Sequence, residues 1–173
     1  DTGKLGGGCK FDGVDGYIDC GTDSSLDYGT SDFTIAGWFN SSSSAAQALF
    51  GKKGAVETVH PGALLVYRYS PGKVYGRISD GTNSVSFESA QVLEQNRWYH
   101  VAAVFDRDDK VTLYIDGLPS GTPQDISSVG NINSTYSFRM ATRGVGGDYF
   151  EGILDDVRSY DRALTSGEVV RIA

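Results

Sequence analysis

Apolar and polar positions alternate most regularly between Arg97 and Gly117. Two runs rich in β-branched and aromatic residues flank a polar link, Asp106 to Lys110, which has the length of a hairpin loop. The pattern predicts a β-hairpin with Phe105 opposite Val111, and the following pairs in the same register. Since successive strand residues point to opposite faces, the odd positions form one apolar face: Tyr99, Val101, Ala103, Phe105, Val111, Leu113 and Ile115. One apolar and one mixed face are typical of a sandwich of two antiparallel sheets.

A second hairpin is predicted around Pro71 and Gly72, a dipeptide that favours a turn. It places Arg68, Tyr75 and Arg77 on one face if the link has an even number of residues. An odd number would bring Tyr67 and Tyr69 to that face instead.

Further alternating segments complete an all-β prediction. Thr165 and Glu168 have the spacing of a capping box, which predicts a short helical turn at the end of the chain. The total is ten or eleven strands in a single domain spanning residues 1–173. The other strands are expected at Asp32–Asn40, Asn83–Ala90, Ser137–Arg143 and Phe150–Tyr160.

The two cysteines fall in a third predicted hairpin, between Gly6 and Gly21. In a register that reverses around Val14 and Asp15, Cys9 lies opposite Cys20. A disulfide is geometrically possible there and would indicate an oxidising compartment. The alternative is two buried thiols that pack as small hydrophobic side chains.

The charge balance limits the possible partners. The formal net charge is −7, which argues against nucleic acid or an anionic membrane surface as the main partner. No apolar run approaches the length of a membrane helix, so we expect no membrane insertion. The chain opens at Asp1 without Met, which is consistent with a removed leader and a secreted protein.

Five fragments in this order and spacing resemble the laminin G-like domains of the concanavalin A-like lectin and glucanase superfamily: FDGVDGYID, FTIAGWF, RWYHVAAVFD, LYIDG and FEGILDDVRSYDRALT. The resemblance covers nearly the whole chain. It implies a jelly-roll sandwich of two curved antiparallel sheets with the first and last strands side by side. It also implies a non-catalytic module of the kind attached to secreted bacterial polysaccharide-degrading enzymes, or a domain that mediates adhesion to proteins.

The same superfamily contains hydrolases and lyases, so the sequence must be compared with their motifs. The hydrolases resemble one another in an E-x-D-x-E strand, which this chain lacks; Glu151 and Asp155 come closest, in the final strand. Neither His60 nor His100 has the Gln-x-His context of the lyases, and His100 is expected to be structural. We therefore expect no enzyme activity.

The resemblance also implies a structural calcium ion, since members of the superfamily often hold one near the terminal strands. Asp156 is then the first ligand and Asp12 the second, with the carbonyl of Gly13 as a third. Alternatively, Asp12 and Asp15 cap backbone amides in turns, and Asp156 pairs with Arg158 or Arg162.

Sugar binding needs flat apolar surfaces and planar hydrogen-bonding groups, which tyrosine and arginine provide. Arginines clustered on an acidic protein favour a carboxylated or sulfated glycan. Trp38 and Trp98 lie in core strands and are expected to be structural. The candidate ligand-binding residues are Arg68, Tyr75, Arg77, Tyr136, Arg139, Arg143 and Tyr149.

The sequence therefore predicts a secreted carbohydrate-binding module for a polysaccharide or oligosaccharide, linked to other domains and possessing no catalytic residues. The alternative is an adhesion or protein-binding domain of a larger surface protein. Each single tyrosine or arginine of the candidate set can also be an ordinary half-buried or solvated side chain.

Overall fold

The structure, a computed structural model, describes residues 2–54, 60–68 and 72–173. Its strands form two antiparallel sheets, which pack face to face. The seven-stranded sheet has the order β1 (Cys9–Asp12), β13 (Glu151–Tyr160), β3 (Phe33–Ser41), β8 (Tyr99–Phe105), β9 (Lys110–Ile115) and β10 (Leu118–Pro119), with β11 (Gln124–Asp125) also paired to β9. The six-stranded sheet has the order β2 (Ile18–Asp19), β12 (Arg139–Met140), β4 (Gln47–Lys53), β5 (Gly62–Arg68), β6 (Lys73–Ser79) and β7 (Ser84–Glu88).

The all-β sandwich and the adjacency of the first and last strands are confirmed, because β1 pairs with β13. The central hairpin has the predicted register, with Phe105 opposite Val111 and Val101 opposite Ile115. Large aromatic side chains fill the space between the sheets, where burial of apolar area stabilises the fold. Those with almost no exposure are Phe33, Phe39, Phe50, Phe105 and Phe150.

The second predicted hairpin is also present, with Arg68 opposite Lys73 and Leu64 opposite Arg77. The link between the paired ends has an even number of residues, so the register puts Arg68, Tyr75 and Arg77 on one face of the sheet. Tyr67 is on the other face, in the core. Tyr69 and the side chain of Arg68 lie outside the described residues.

The predicted hairpin between Gly6 and Gly21 is wrong. β1 pairs with β13 in one sheet, whereas β2 pairs with β12 in the other, so the two segments are the outermost strands of different sheets. Cys9 and Cys20 are both exposed free thiols, so neither the disulfide nor the pair of buried thiols is found. A local reversal in sequence was mistaken for strand pairing, although the chain crosses from one sheet to the other there.

The outer face of the seven-stranded sheet is covered by the end of the chain. The helix α1 (Ser166–Ile172) begins with the predicted capping box, in which Thr165 and Glu168 bond to each other's backbone. Leu164 and Val169 pack on an apolar cluster of the sheet. We call this surface the sealed face; its sheet residues are Ala36, Ala102, Val104 and Tyr114. With seven residues, α1 is too short to cross a membrane, and no other described helix is long and apolar enough to do so.

Candidate functional site

The outer face of the six-stranded sheet carries a small apolar floor. Ala48, Leu64 and Val66 lie side by side on β4 and β5 and are at most 2% exposed, with Tyr75 of β6 packed against them. Alternation along β5 explains this placement: Leu65 and Tyr67 point into the core, so Leu64 and Val66 point to the outer face. We call this surface the site face; it comprises Lys53, Leu64, Val66, Tyr75, Arg77 and Arg139.

Tyr75 and Arg77 are held in place by serines of the neighbouring strand. The hydroxyl of Tyr75 donates to Oγ of Ser86 at 2.6 Å, and Nη2 of Arg77 donates to Oγ of Ser84 at 2.6 Å. Both contacts run diagonally from β6 to β7 on the outer face, since Arg77 lies directly opposite Ser86 in the register and Tyr75 opposite Glu88. An aromatic ring and a guanidinium group are thus ordered next to an apolar floor before any ligand binds.

A β-bulge brings Lys53 to the same face. The register of β4 against β5 shifts between Ala48 and Phe50, so that Leu49 and Phe50 both point into the core. As a result Lys52 is on the core side, where Nζ bonds to Oδ1 of Asp27 at 2.5 Å. Lys53, one residue further, points outward and donates to the carbonyl of His60.

Lys53 is fully buried, and this burial, together with the nearby positive charge of Arg77, lowers the pKa of Lys53 to about 8. The ammonium group is therefore still protonated at neutral pH. Two cations close together on an acidic protein create a local positive potential that favours an anionic ligand.

Arg139 lies on β12, opposite Asp19 and Gly51. Its Nε donates to Oδ2 of Asp19 at 3.1 Å, and its Nη1 donates to the carbonyl of Gly144 at 3.0 Å. The guanidinium also lies 5.0 Å from the ring centroid of Tyr17. The pKa of Asp19 is lowered, first by the amide of Gly21 and then by Ser137 and Arg139.

The loop after β12 borders the site face near the end of β4. The amide of Gly144 donates to the carbonyl of Lys53 at 2.9 Å. Arg143 bonds within this loop, to the carbonyl of Gly146 at 2.9 Å and to Asp148 at 3.4 Å. These contacts shape the loop, and a role of Arg143 in ligand binding stays a prediction.

Tyr136 packs at the same end, with its ring against Gly54. A Cβ atom at Gly54 would lie 2.8 Å from that ring, so the close approach requires glycine. His60 meets Tyr136 edge-on at 5.5 Å between ring centroids. Tyr149 is half-buried, with its hydroxyl beside Gly146.

The structure thus brings Tyr75, Arg77 and Arg139 together on one sheet face, with Tyr136, Arg143 and Tyr149 in or beside the bordering loops. Sequence reasoning missed Tyr17 and Lys53. The outward position of Tyr17 could have been predicted from alternation, because its neighbour Ile18 packs on the core and successive strand residues point to opposite faces. For Lys53 the signal was hidden, because the bulge reverses the alternation.

The three residues predicted to hold calcium do not fit a single site. Asp12 pairs with Glu151, five residues before Asp156 on the same strand, which is a separation of roughly 16 Å. Oδ1 of Asp12 accepts a bond from the amide of Val14 at 3.0 Å, and Asp156 pairs with Arg158 at 2.8 Å. These are the contacts of the alternative interpretation. Among the described residues, no group of three or more His, Cys, Asp or Glu side chains is arranged to hold a metal ion.

His100 lies on the opposite side of the molecule, on the outer surface of the seven-stranded sheet. It is 1% exposed and meets Trp38 at 5.3 Å between ring centroids. Within the described residues its Nδ1 has no hydrogen-bond partner. Burial lowers the pKa of His100 to about 4, although Asp116 and Asp156 oppose this shift. The ring is neutral at pH 7 and packed.

Two antiparallel sheets, with the first and last strands adjacent, are the architecture of the lectin-type β-sandwiches. A laminin G family model, described as the Concanavalin A-like lectin/glucanases superfamily, matches residues 12–170, and the chain belongs to this superfamily. Among curated proteins, none matches this sequence.

Solved structures share the fold at low sequence identity. Domain 4 of AbnA, an extracellular GH43 arabinanase from Geobacillus stearothermophilus, in complex with arabinotriose, has a TM-score of 0.78 at 19% identity, over 100% of this chain and 79% of that chain. The CBM40 of the Ruminococcus gnavus IT-sialidase, bound to alpha2,3 sialyllactose, has a TM-score of 0.74 at 14% identity, over 95% of both chains. A heptameric SAP-like pentraxin from Limulus polyphemus has a TM-score of 0.70 at 17% identity, over 95% of this chain and 80% of that chain. The chain thus resembles binding domains, and at these identities the likeness shows the fold.

Proposed function

We propose that this chain is a non-catalytic carbohydrate-binding module that holds an acidic glycan on the site face. The observation that carries the proposal is the arrangement of Tyr75 and Arg77, fixed by Ser86 and Ser84 beside the apolar floor. The ring offers an apolar face to a sugar, and the guanidinium supplies the positive charge that pairs with a carboxylate or sulfate.

The charges support the acidic part of the proposal. Lys53 and Arg77 place positive charge on one face of a chain whose formal net charge is −7. Such a local patch attracts an anionic group, whereas the acidic remainder of the surface repels it. Two structural neighbours are complexes with oligosaccharides, one of them with sialyllactose, which supports a glycan as the partner.

The same neighbours support a proposal for the biological role. We infer a secreted single domain, residues 1–173, joined to a polysaccharide-degrading enzyme whose substrate it binds. A neighbour from an extracellular arabinanase supports both the location and the attachment. The dispersed carboxylates, with no E-x-D-x-E strand, support the absence of catalysis.

The test is binding to a panel of immobilised neutral, uronic-acid-containing and sulfated polysaccharides. We expect retention on an acidic glycan, weakened by salt, with no reducing sugar released. Arg77→Ala should lower the affinity at least tenfold. Arg171→Ala, an exposed arginine in the last turn of α1, is the charge-matched control and should bind like the wild type.

Equal binding of Arg77→Ala and the wild type would remove the site face from the proposal. Retention on neutral glycans alone would contradict the acidic preference. Release of reducing sugar would show an enzyme. Failure to bind any glycan of the panel would favour the adhesion or protein-binding alternative.

A further inference from the structure

Tyr17 is an exposed aromatic residue at the edge of the six-stranded sheet. Its ring is 45% exposed, and it precedes β2 on the side opposite to Ile18, which packs on the core. Tyr17 is thus on the outer side of the sheet, as is its contact Arg139. The ring borders the site face at its far end from Tyr75.

Its neighbour holds the ring on one face, while Tyr17 remains 45% exposed. The guanidinium of Arg139 lies 5.0 Å from the ring centroid, which is cation–π distance. Asp19 and the carbonyl of Gly144 fix that guanidinium by bonds of 3.1 and 3.0 Å. A ring positioned in this way loses little conformational entropy on binding, which is the property of an aromatic binding anchor.

A single glycine lies between Arg139 and the apolar floor. Gly51 is the β4 partner of Arg139 on one side and of Leu64 on the other, and it carries no side chain. A Cβ atom at Gly51 would lie 2.4 Å from the carbonyl oxygen of Ala63, so no other residue fits there without a shift. Gly51 is itself buried, and it leaves no side chain standing between Arg139 and Leu64 on this row of the sheet.

The distance from this edge to the proposed binding residues exceeds a single sugar. Four strand spacings separate β2 from β6, which amounts to roughly 19 Å. A ligand that contacts both Tyr17 and Tyr75 must therefore be a chain of linked sugars that runs across the strands.

We propose that Tyr17 and Arg139 form a distal stacking subsite, so that the site face binds an extended oligosaccharide chain rather than one terminal sugar. This inference rests on the proposed function and deepens it. Tyr17 stacks on a sugar of the chain, and Arg139 keeps the ring in place while it can donate to an acidic group there.

The experiment measures affinity by calorimetry for the acidic glycan retained in the panel and for its oligosaccharides of increasing length. Tyr17→Ala should weaken binding of the polymer and of long oligosaccharides about tenfold and leave short ones unchanged. Tyr17→Phe keeps the ring and should bind like the wild type. Val14→Ala, at an exposed apolar residue of the same loop, is the matched control.

A second variant gives a direct readout. In Tyr17→Trp, the new indole should change its fluorescence when a long oligosaccharide is added and not when a short one is added. The same titration of the wild type subtracts the signal of Trp38 and Trp98. This readout remains available if Tyr17→Ala folds poorly.

Equal affinity of Tyr17→Ala and the wild type at every length would overturn the distal subsite, and so would a loss of the same size for short and long chains. In both cases a loss of binding in Arg77→Ala would leave the proposed function standing. If Arg77→Ala also binds normally, or if no glycan binds, both proposals fall.

Discussion

In both sheets of this sandwich, alternation places apolar residues on the outer face. The two outer faces differ in the side chains that surround those apolar residues. On the sealed face, Leu164 and Val169 cover the sheet with apolar side chains from the same chain. On the site face, an apolar floor of similar kind is bordered instead by tyrosines, arginines and a lysine. The difference teaches that apolar residues on the outside of a sheet can be covered by another part of the chain, as on the sealed face, or bordered by polar side chains, on which the proposed binding surface depends.

The two outer sides also differ in the charge of a buried basic side chain, which is His100 on the seven-stranded sheet and Lys53 on the site face. Burial lowers the pKa of both His100 and Lys53, to about 4 and about 8 respectively. At pH 7 His100 is therefore neutral, as packing requires, whereas Lys53 keeps its charge at a cost in stability. We infer that this retained charge, on the same face as Arg77, serves the proposed anionic ligand.

The sharpest test of the comparison is a pair of truncations, Leu164→Ala on the sealed face and Leu64→Ala on the site face. Both leucines are at most 5% exposed, so each change should lower the free energy of unfolding by about 3 kcal/mol. Urea unfolding measures this loss. Only Leu64→Ala should also weaken glycan binding, because it alters the floor beside Tyr75. If both variants bind equally well, the floor is not part of the binding surface.

The second test uses acid. Below about pH 6.5 the unfolded chain protonates His100, whereas the folded chain does so only near its pKa of about 4. The unfolded state thus binds more protons in this window, and stability falls as pH falls through it, by up to about 3 kcal/mol. The difference in unfolding free energy between the wild type and His100→Gln, measured from pH 7 to pH 4, isolates this contribution. A constant difference would show that His100 is not buried in its neutral form.

The smallest effect is expected at Lys53. Between about pH 8 and 10.5 the unfolded chain binds more protons at this lysine than the folded chain, so its contribution becomes less unfavourable as pH rises. Burial of the charge costs up to about 3 kcal/mol at pH 7, and the bond to the His60 carbonyl offsets about 2 kcal/mol of this cost. Lys53→Met should therefore raise the free energy of unfolding at pH 7 by about 1 kcal/mol, and this gain should shrink towards pH 10.5. The same variant should bind the acidic glycan less tightly. A loss of stability at pH 7 would mean that the bond to the His60 carbonyl outweighs the cost of burying the charge.

Much of the fold was predictable because local rules coincide with the tertiary structure in the hairpins. For Val101 and Ile115, alternation and loop length specify one register, and the structure has it. Cys9 and Cys20 show where this fails: two short extended segments around a reversal resemble a hairpin, yet each pairs with a distant strand. Pairing across the whole length of the chain leaves no local signal.

The candidate site was predictable to the same extent. Tyr75, Arg77 and Arg139 share a face because their strands alternate regularly. The partners of Arg143, Gly146 and Asp148, could not be predicted because they depend on the path of a loop. Asp12 and Asp156 were grouped because their strands adjoin, although their positions along those strands are far apart.

The bulge in β4 has a consequence for how this surface can diverge. Deletion of Leu49 would remove the extra residue and leave Gly51 and Lys53 opposite their present partners on β5. Deletion of Gly51 would instead exchange the two lysines, turning Lys53 inward and Lys52 outward. A change in strand length, without any substitution, is therefore enough to redraw the charge pattern presented to a ligand.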